Sequence, residues 1–399
     1  MMSSESGTSP SISSRPWVKL RSAMFHTFLF KKMVGEVSSE ARPGDVVAVL
    51  DKHGRLFGHA LFNPRSTIVL RMLNFDQTPI DESFWRDAIA RANALRTEAL
   101  RLPLITTAYR VIHAEGDGLS GLVADRYGDV LVVNVFSFGM WRLLDSLLAL
   151  LLEVTKARHY LVDADERVQS QEGFAASPRR SEGCPESVTI TEHGVRFRVR
   201  FDSIHKTGFF CDQRENRRRL SMLTQGADVL DLCCNTGGFG VYAKTIGQAK
   251  SATCVDLDET AIELAKHNAN LNQVRIDAVP ADVFTYMRRA QTGGKAYDVV
   301  VLDPPKLVFG KRDDGEGRKK YGDLNRLAVS LVKPGGLLLT CSCSGALSRE
   351  EFVGMVIASV RRANRKCQIL DTTGAGPDHP VSPCCPESEY LKAVWLRIH

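Results

Sequence analysis

The stretch Val229-Leu230-Asp231-Leu232-Cys233-Cys234-Asn235-Thr236-Gly237-Gly238-Phe239-Gly240 decides how the chain is read. An apolar strand carrying one aspartate, Asp231, runs into a turn with two adjacent glycines. Glycine has no Cβ, so such a turn lets a ligand approach the backbone closely. The spacing is not the G-x-G-x-x-G of dinucleotide folds, which argues against a dehydrogenase. Further short apolar runs follow at residues 252–256, 276–279, 299–303 and 337–341, each leading into a loop or a helical pattern. Residues 261–271 read as a helix, with Asp258, Glu259 and Thr260 at its start, where acidic and capping residues suit the dipole. Strands alternating with helices predict a doubly wound parallel sheet. Ligands of such sheets sit beyond the carboxyl ends of the strands.

The strand ends carry the chemistry. Asp256 closes the second run, where a carboxylate accepts hydrogen bonds from both hydroxyls of a ribose. Asp282 follows the third run, placed to meet an adenine amino group. Strand, glycine turn, helix, strand and acid, in that order, is the layout used for S-adenosyl-L-methionine. The bland alternative is a turn that serves only helix–strand packing. The next run ends in Asp303-Pro304-Pro305-Lys306, a carboxylate followed by two prolines that stiffen the chain and could hold a base edge in place. The last exits into Thr340-Cys341-Ser342-Cys343-Ser344-Gly345, a loop bearing thiols. A thiolate is a nucleophile, although buried structural cysteine is common. Cys-x-Cys supplies only two ligands, too few for a metal. Ahead of the first strand, His205-Lys206-Thr207-Gly208-Phe209-Phe210-Cys211-Asp212-Gln213-Arg214 offers polar residues, Gln213 among them, for one wall of a cofactor site.

Outward from this core, the N-terminal side has a different texture. Residues 1–14 are Ser-rich and read as a flexible tail. Runs at 46–50, 56–62 and 67–73, separated by tight turns, predict a small all-β barrel within residues 15–76. Residues 81–100 read as one helix, 130–136 and 195–201 as strands, and 173–187 as a loop.

At roughly 150 residues per domain, a chain of 399 residues has room for two or three. The leucine-rich segment 143–154 falls short of the roughly 20 residues that cross a bilayer, so no membrane is implicated. Ten cysteines without zinc or disulfide spacing favour a reduced, cytoplasmic setting. The net charge of +6 permits a polyanionic partner without demanding one. Residues 205–220 and 306–320 carry +3 each and 361–366 carry +4, so the basic excess lies in the second half, where a phosphate backbone is its natural complement.

These motifs, in this order, resemble the bacterial 23S rRNA cytosine-C5 methyltransferases of the large-subunit methyltransferase I type. Thr207-Gly208-Phe209-Phe210 with Asp212-Gln213-Arg214 looks like that family's signature before its first sheet strand. Tyr321-Gly322-Asp323-Leu324-Asn325, Asp378-His379-Pro380-Val381 and Tyr390-Leu391-Lys392 look like its later segments, and Gly44-Asp45-Val46 through Arg71 like its PUA domain. The resemblance implies a Rossmann-like class I methyltransferase domain (205–399), a small N-terminal PUA-like β barrel (15–76) and a central α+β domain (77–204). It implies S-adenosyl-L-methionine as cofactor and 23S ribosomal RNA as partner, and leaves a homodimer open. Carried over, the nucleophilic thiol falls on Cys343 and the base-edge acid on Asp303. The cofactor site falls on Gln213, Asp231, Asn235, Gly237, Gly238, Asp256, Asp282 and Asp303. Two departures stand out: Cys211 occupies an expected larger apolar position, and Pro304-Pro305-Lys306 offers no second thiol. The resemblance does not identify the base that removes the C5 proton. The competing readings are a guanine methyltransferase that needs no thiol and a non-catalytic rRNA-binding assembly protein.

Overall fold

The apolar runs beyond residue 227 become one seven-stranded sheet in the computed structural model, which describes residues 15–201, 209–310 and 315–399. The tail 1–14 and the first four residues of the His205 motif lie outside the described residues. We number the strands of this sheet β1 (Asp228–Leu232), β2 (Ser251–Asp256), β3 (Asp277–Pro280), β4 (Tyr297–Leu302), β5 (Val332–Ser342), β6 (Cys367–Thr373) and β7 (Lys392–Ile398). Its helices are α1 (Arg214–Ser221), α2 (Gly238–Thr245), α3 (Glu259–Leu271), α4 (Val283–Thr292), α5 (Glu316–Ser330) and α6 (Arg349–Arg362). The strand order is β3-β2-β1-β4-β5-β7-β6, with β1 to β5 parallel and β7 antiparallel to both its neighbours.

Alternate residues of each central strand bury on opposite faces. Leu230, Leu232, Val300, Leu302 and Leu338 pack with Leu324 and Phe352 of α5 and α6. Val229, Val301 and Leu339 pack on the other side with Leu220 and Phe239 of α1 and α2. Both faces are covered, as a parallel sheet requires. The helices start on local caps. Asp258 accepts from the Thr260 and Ala261 amides at α3, and Ser348 with Glu351 forms a reciprocal capping box at α6.

Two smaller units precede this sheet. Residues 17–74 form six strands, and the two edge strands, Phe28–Phe30 and Val34–Val37, are joined by only the Lys31–Met33 turn. That short link brings the edges together and curls the sheet into a barrel. A five-stranded sheet follows, covered by the Glu82–Ala94 and Leu144–Thr155 helices through Trp85, Ile89, Leu147 and Leu151. The single helix expected over 81–100 changes pitch: Leu95–Ala99 is a π turn, which carries the fully buried Arg96. The loop expected over 173–187 contains the short strand Arg179–Arg180, paired antiparallel with His159–Asp163. Its pairing is a matter of backbone hydrogen bonds, which two arginines do not advertise. The hairpin Ser187–Glu192 and Val195–Arg200 then lays Phe197 and Val199 against Phe209, Val241 and Tyr242. Among the described residues, no helix is long and apolar enough to cross a membrane.

The charge excess needs correction in one segment. Arg214 and Arg217, counted in the basic stretch 205–220, are buried in ion pairs with Asp378 and Glu192. They hold the fold together rather than face a polyanion. Arg361, Arg362 and Lys366 remain exposed, at and beyond the end of α6.

Candidate active site

The turn after β1 takes its shape from left-handed backbone at Cys233, Asn235 and Gly237 (φ of 59°, 48° and 81°). At Gly237 a side chain would also press on Ala265 of α3, its Cβ 3.0 Å from that residue's Cβ. The non-glycine residues in this region are strained and need support from their surroundings. Asp256 provides part of it: Oδ2 accepts from the Asn235 amide at 2.8 Å and Oδ1 from the Asp258 amide at 3.0 Å. Each carboxylate oxygen has a second lone pair left for a hydroxyl donor.

Below the turn, Asp231 is fully buried. Its Oδ2 accepts from the Gly240 amide at 2.9 Å, while Oδ1 has no hydrogen-bond partner among the described residues. Burial pushes this carboxyl up to about 7, against the pull of the Gly240 hydrogen bond. A site that ends in an orphaned buried carboxyl oxygen suits a cationic donor.

The cleft beside the turn is narrow, about 60 Å³, and is lined by Gln213, Asn235, Gly238 and Asp303 together with Phe210 and Arg217. Asp303 sits at the end of β4, and Gln213 Nε2 donates to its Oδ2 at 2.9 Å. Asn216 fixes Gln213 in turn by donating to its Oε1 at 2.6 Å. Burial, then the charge of Asp212, pushes Asp303 up to about 7.

Cys343 follows β5 and is partly exposed, with Sγ 4.0 Å from the carbonyl oxygen of Pro304. The sequence motifs at Asp303 and Cys343 are therefore adjacent in space. Burial, then the charges of Asp303 and Asp212, pushes this thiol up to about 12. The two loops are pinned to each other. Ser344 Oγ accepts from the Val308 amide at 3.1 Å, and Tyr321 Oη lies 3.0 Å from both the Ser342 and Ser344 hydroxyls. Cys341, the other thiol, is fully buried in the core on the α1–α2 side.

Asp282 stands at the start of α4. It is exposed and caps α4, accepting from the Thr285 amide and hydroxyl at 2.9 Å. Neither it nor Asp256 lines the cleft. A larger cavity, about 700 Å³, lies between the 187–200 hairpin and α3 and contains none of the expected site residues.

Two residues of the site, Asp212 and Lys392, had no chemical role of their own in the sequence reading. Asp212 is buried and accepts from Tyr390 Oη at 2.5 Å. Lys392 opens β7 opposite Ser342 and donates to the carbonyls of Ser344 at 2.6 Å and Tyr390 at 2.9 Å. Burial lowers its ammonium to about 8. A lysine heading an otherwise apolar run was the available signal for the last of them.

The strand order and this strand-end site define an S-adenosylmethionine-dependent methyltransferase. A family model for S-adenosylmethionine-dependent methyltransferases matches residues 110–396, and one for PUA-like domains matches 21–75. Ribosomal RNA large subunit methyltransferase I of Shewanella amazonensis is 35% identical over 94% of this chain and 95% of its own length. The protein of the same name from Tolumonas auensis is 36% identical over 93% and 95%. The chain belongs to this ribosomal RNA large subunit methyltransferase I family. Among solved structures, a Streptococcus mutans chain matches with a TM-score of 0.81 at 21% identity, over 95% of this chain and 100% of its own. A second, assigned as a methyltransferase and complexed with SAH, matches with a TM-score of 0.80 at 21% identity, over 93% and 95%. The protein is an enzyme, and its cofactor is S-adenosyl-L-methionine.

Proposed function

We propose that the enzyme methylates carbon 5 of a cytosine in 23S ribosomal RNA through a covalent adduct to Cys343. The observation that carries this reading is the adjacency of the Cys343 thiol and the Asp303–Pro304 loop. The cofactor supplies an electrophilic methyl group. Asp231, Asn235, Gly237, Gly238 and Asp256 would hold it, with Gln213 on the facing wall and Asp282 at the adenine end. The orphaned Asp231 oxygen would receive a hydrogen bond from its amino group.

Carbon 5 of cytosine is a poor nucleophile. Sulfur added at carbon 6 turns the ring into an enamine that reacts at carbon 5. With its thiol held near 12, Cys343 rests protonated, so sulfur attack must be coupled to proton movement. Asp303, near 7, exists in both protonation states around neutrality. Its protonated form donates to N3 as negative charge develops on the ring, and its ionised form takes the thiol proton. Gln213 keeps the carboxyl turned toward the base.

The target base must leave its stack to enter so narrow a cleft, which favours single-stranded or unfolded RNA. Phe210 and Phe309 support this, since each exposes more than half of its surface (52% and 60%) near the site. Lys306 Nζ lies over the Phe309 ring, 5.6 Å from its centre. Exposed rings flanked by a cation suit bases and the phosphates between them.

Cys343→Ala should abolish methyl transfer to 23S rRNA and adduct formation with 5-fluorocytosine RNA, while cofactor affinity measured by calorimetry is retained. Full activity in the variant, or a wild-type enzyme that transfers methyl yet never traps 5-fluorocytosine RNA, overturns the covalent route. The latter result points instead to guanine. Absence of any methyl transfer by the wild type points to an assembly role.

A further inference from the structure

A cytosine that has gained a methyl group at carbon 5 must still lose the proton on that carbon. Asp303 is badly placed for the task, because the C5–H bond points away from the N3 edge it would hold. Asp212, the residue before Gln213, is a further carboxylate whose charge acts on Asp303. Only 9% of its surface is exposed, and its two oxygens differ. Oδ2 accepts from Tyr390 Oη at 2.5 Å, whereas the buried Oδ1 has no partner among the described residues. The backbone holds it in place, since its carbonyl accepts from the Gly376 amide at 2.9 Å and the next side chain, Gln213, is bonded to Asp303.

We infer that Asp212 is the base that takes the proton from carbon 5, an inference that rests on the cytosine-C5 reading above. The Asp212 carboxylate accepts the proton through Oδ1. The C–H electron pair forms the C5–C6 double bond, the C6–S bond breaks, and its electron pair leaves on the Cys343 sulfur. The proton then passes from Asp212 to solvent. Tyr390 engages Oδ2 and leaves the buried Oδ1 unpaired: burial, then the charge of Asp212, holds the Tyr390 hydroxyl well above its ordinary range, so it stays a donor. The charge of Asp212 also reaches both Asp303 and Cys343. This assigns to a carboxylate the release step that the missing thiol in Pro304-Pro305-Lys306 cannot perform.

The test uses Asp212→Asn in the full chain, with cofactor and an unmodified 23S rRNA transcript. The variant should bind the cofactor normally and transfer methyl once. It should then accumulate a methyl-labelled protein–RNA adduct on denaturing gels that the wild type does not. Product release should fall by about 10²-fold or more, the usual worth of a general base. Asp212→Glu should restore part of the release and dissolve the adduct. The inference is overturned if Asp212→Asn turns over at the wild-type rate. It is equally overturned if that variant binds cofactor yet gives neither product nor adduct. Wild-type enzyme with 5-fluorocytosine RNA separates the two readings, because fluorine at carbon 5 blocks release whatever the base. A Cys343-linked adduct there, with no adduct in Asp212→Asn, refutes only the base. No fluorocytosine adduct refutes the cytosine reading itself.

Discussion

Asp303 raises the proton affinity of Cys343, and the effect can be measured without any RNA. At pH 8 Asp303 is mostly ionised and its charge suppresses the thiolate. Asp303→Asn removes that charge, so alkylation of Cys343 by iodoacetamide should quicken by about tenfold, the effect of one pKa unit. Mass-spectrometric mapping of the alkylated peptide checks it, and an unchanged rate would mean that burial alone controls the sulfur. Both residues were legible in the sequence, because each ends an apolar run and sits in a distinctive tripeptide. Asp212 and Lys392 were not. Their chemistry depends on Tyr390 and Ser344, brought to them from 178 and 48 residues away, and no local pattern encodes such a meeting.

Among the elements, β1 and α2 carry the closest packing at the site. An added Cβ on Gly240 would lie 2.2 Å from Cys254 Sγ of β2, so this helix is seated on the sheet through a bare backbone. Gly240→Ala favours the helix intrinsically by about 1 kcal/mol. Even so, the overpacking should leave a net loss of roughly 1–3 kcal/mol and weaken cofactor binding by shifting the amide bonded to Asp231. Denaturant unfolding measures the loss, and Cys254→Ala in the same chain should return most of it. Strands β1, β2, β4 and β5 could be read ahead of the structure because a parallel strand buried on both faces is an unbroken apolar run. The edge strand Arg179–Arg180 and the π turn at Arg96 could not, since each answers to a tertiary partner: a neighbouring backbone for one, and Asp117 and the Asp378 carbonyl for the other.

For the molecule as a whole, Asp378 ties the central unit to the catalytic one. Its carboxylate accepts from Arg214 Nη2 at 2.6 Å and from the Arg110 amide at 3.0 Å, and its carbonyl accepts from Arg96 at 2.6 Å. Burial opposes ionisation here, but His379 and Arg214 outweigh it and hold the group well below its ordinary 3.8. Its contribution to stability is therefore present above about pH 4 and lost progressively as the pH falls further. Asp378→Ala strands the buried Arg214 and should cost about 3–5 kcal/mol near neutral pH, a difference that shrinks in acid. Unfolding curves at pH 7 and pH 3 test both statements. The catalytic sheet also has a consequence in time. Strand β7 lies between β5 and β6 yet is synthesised after both, so a growing chain holds a slot open in its main sheet and presents the bare margin of β5 to any neighbour. Tyr390 and Lys392 arrive with the strand that fills the slot. The Tyr390–Asp212 and Lys392–Ser344 contacts can therefore form only after the last strand of the sheet has been made.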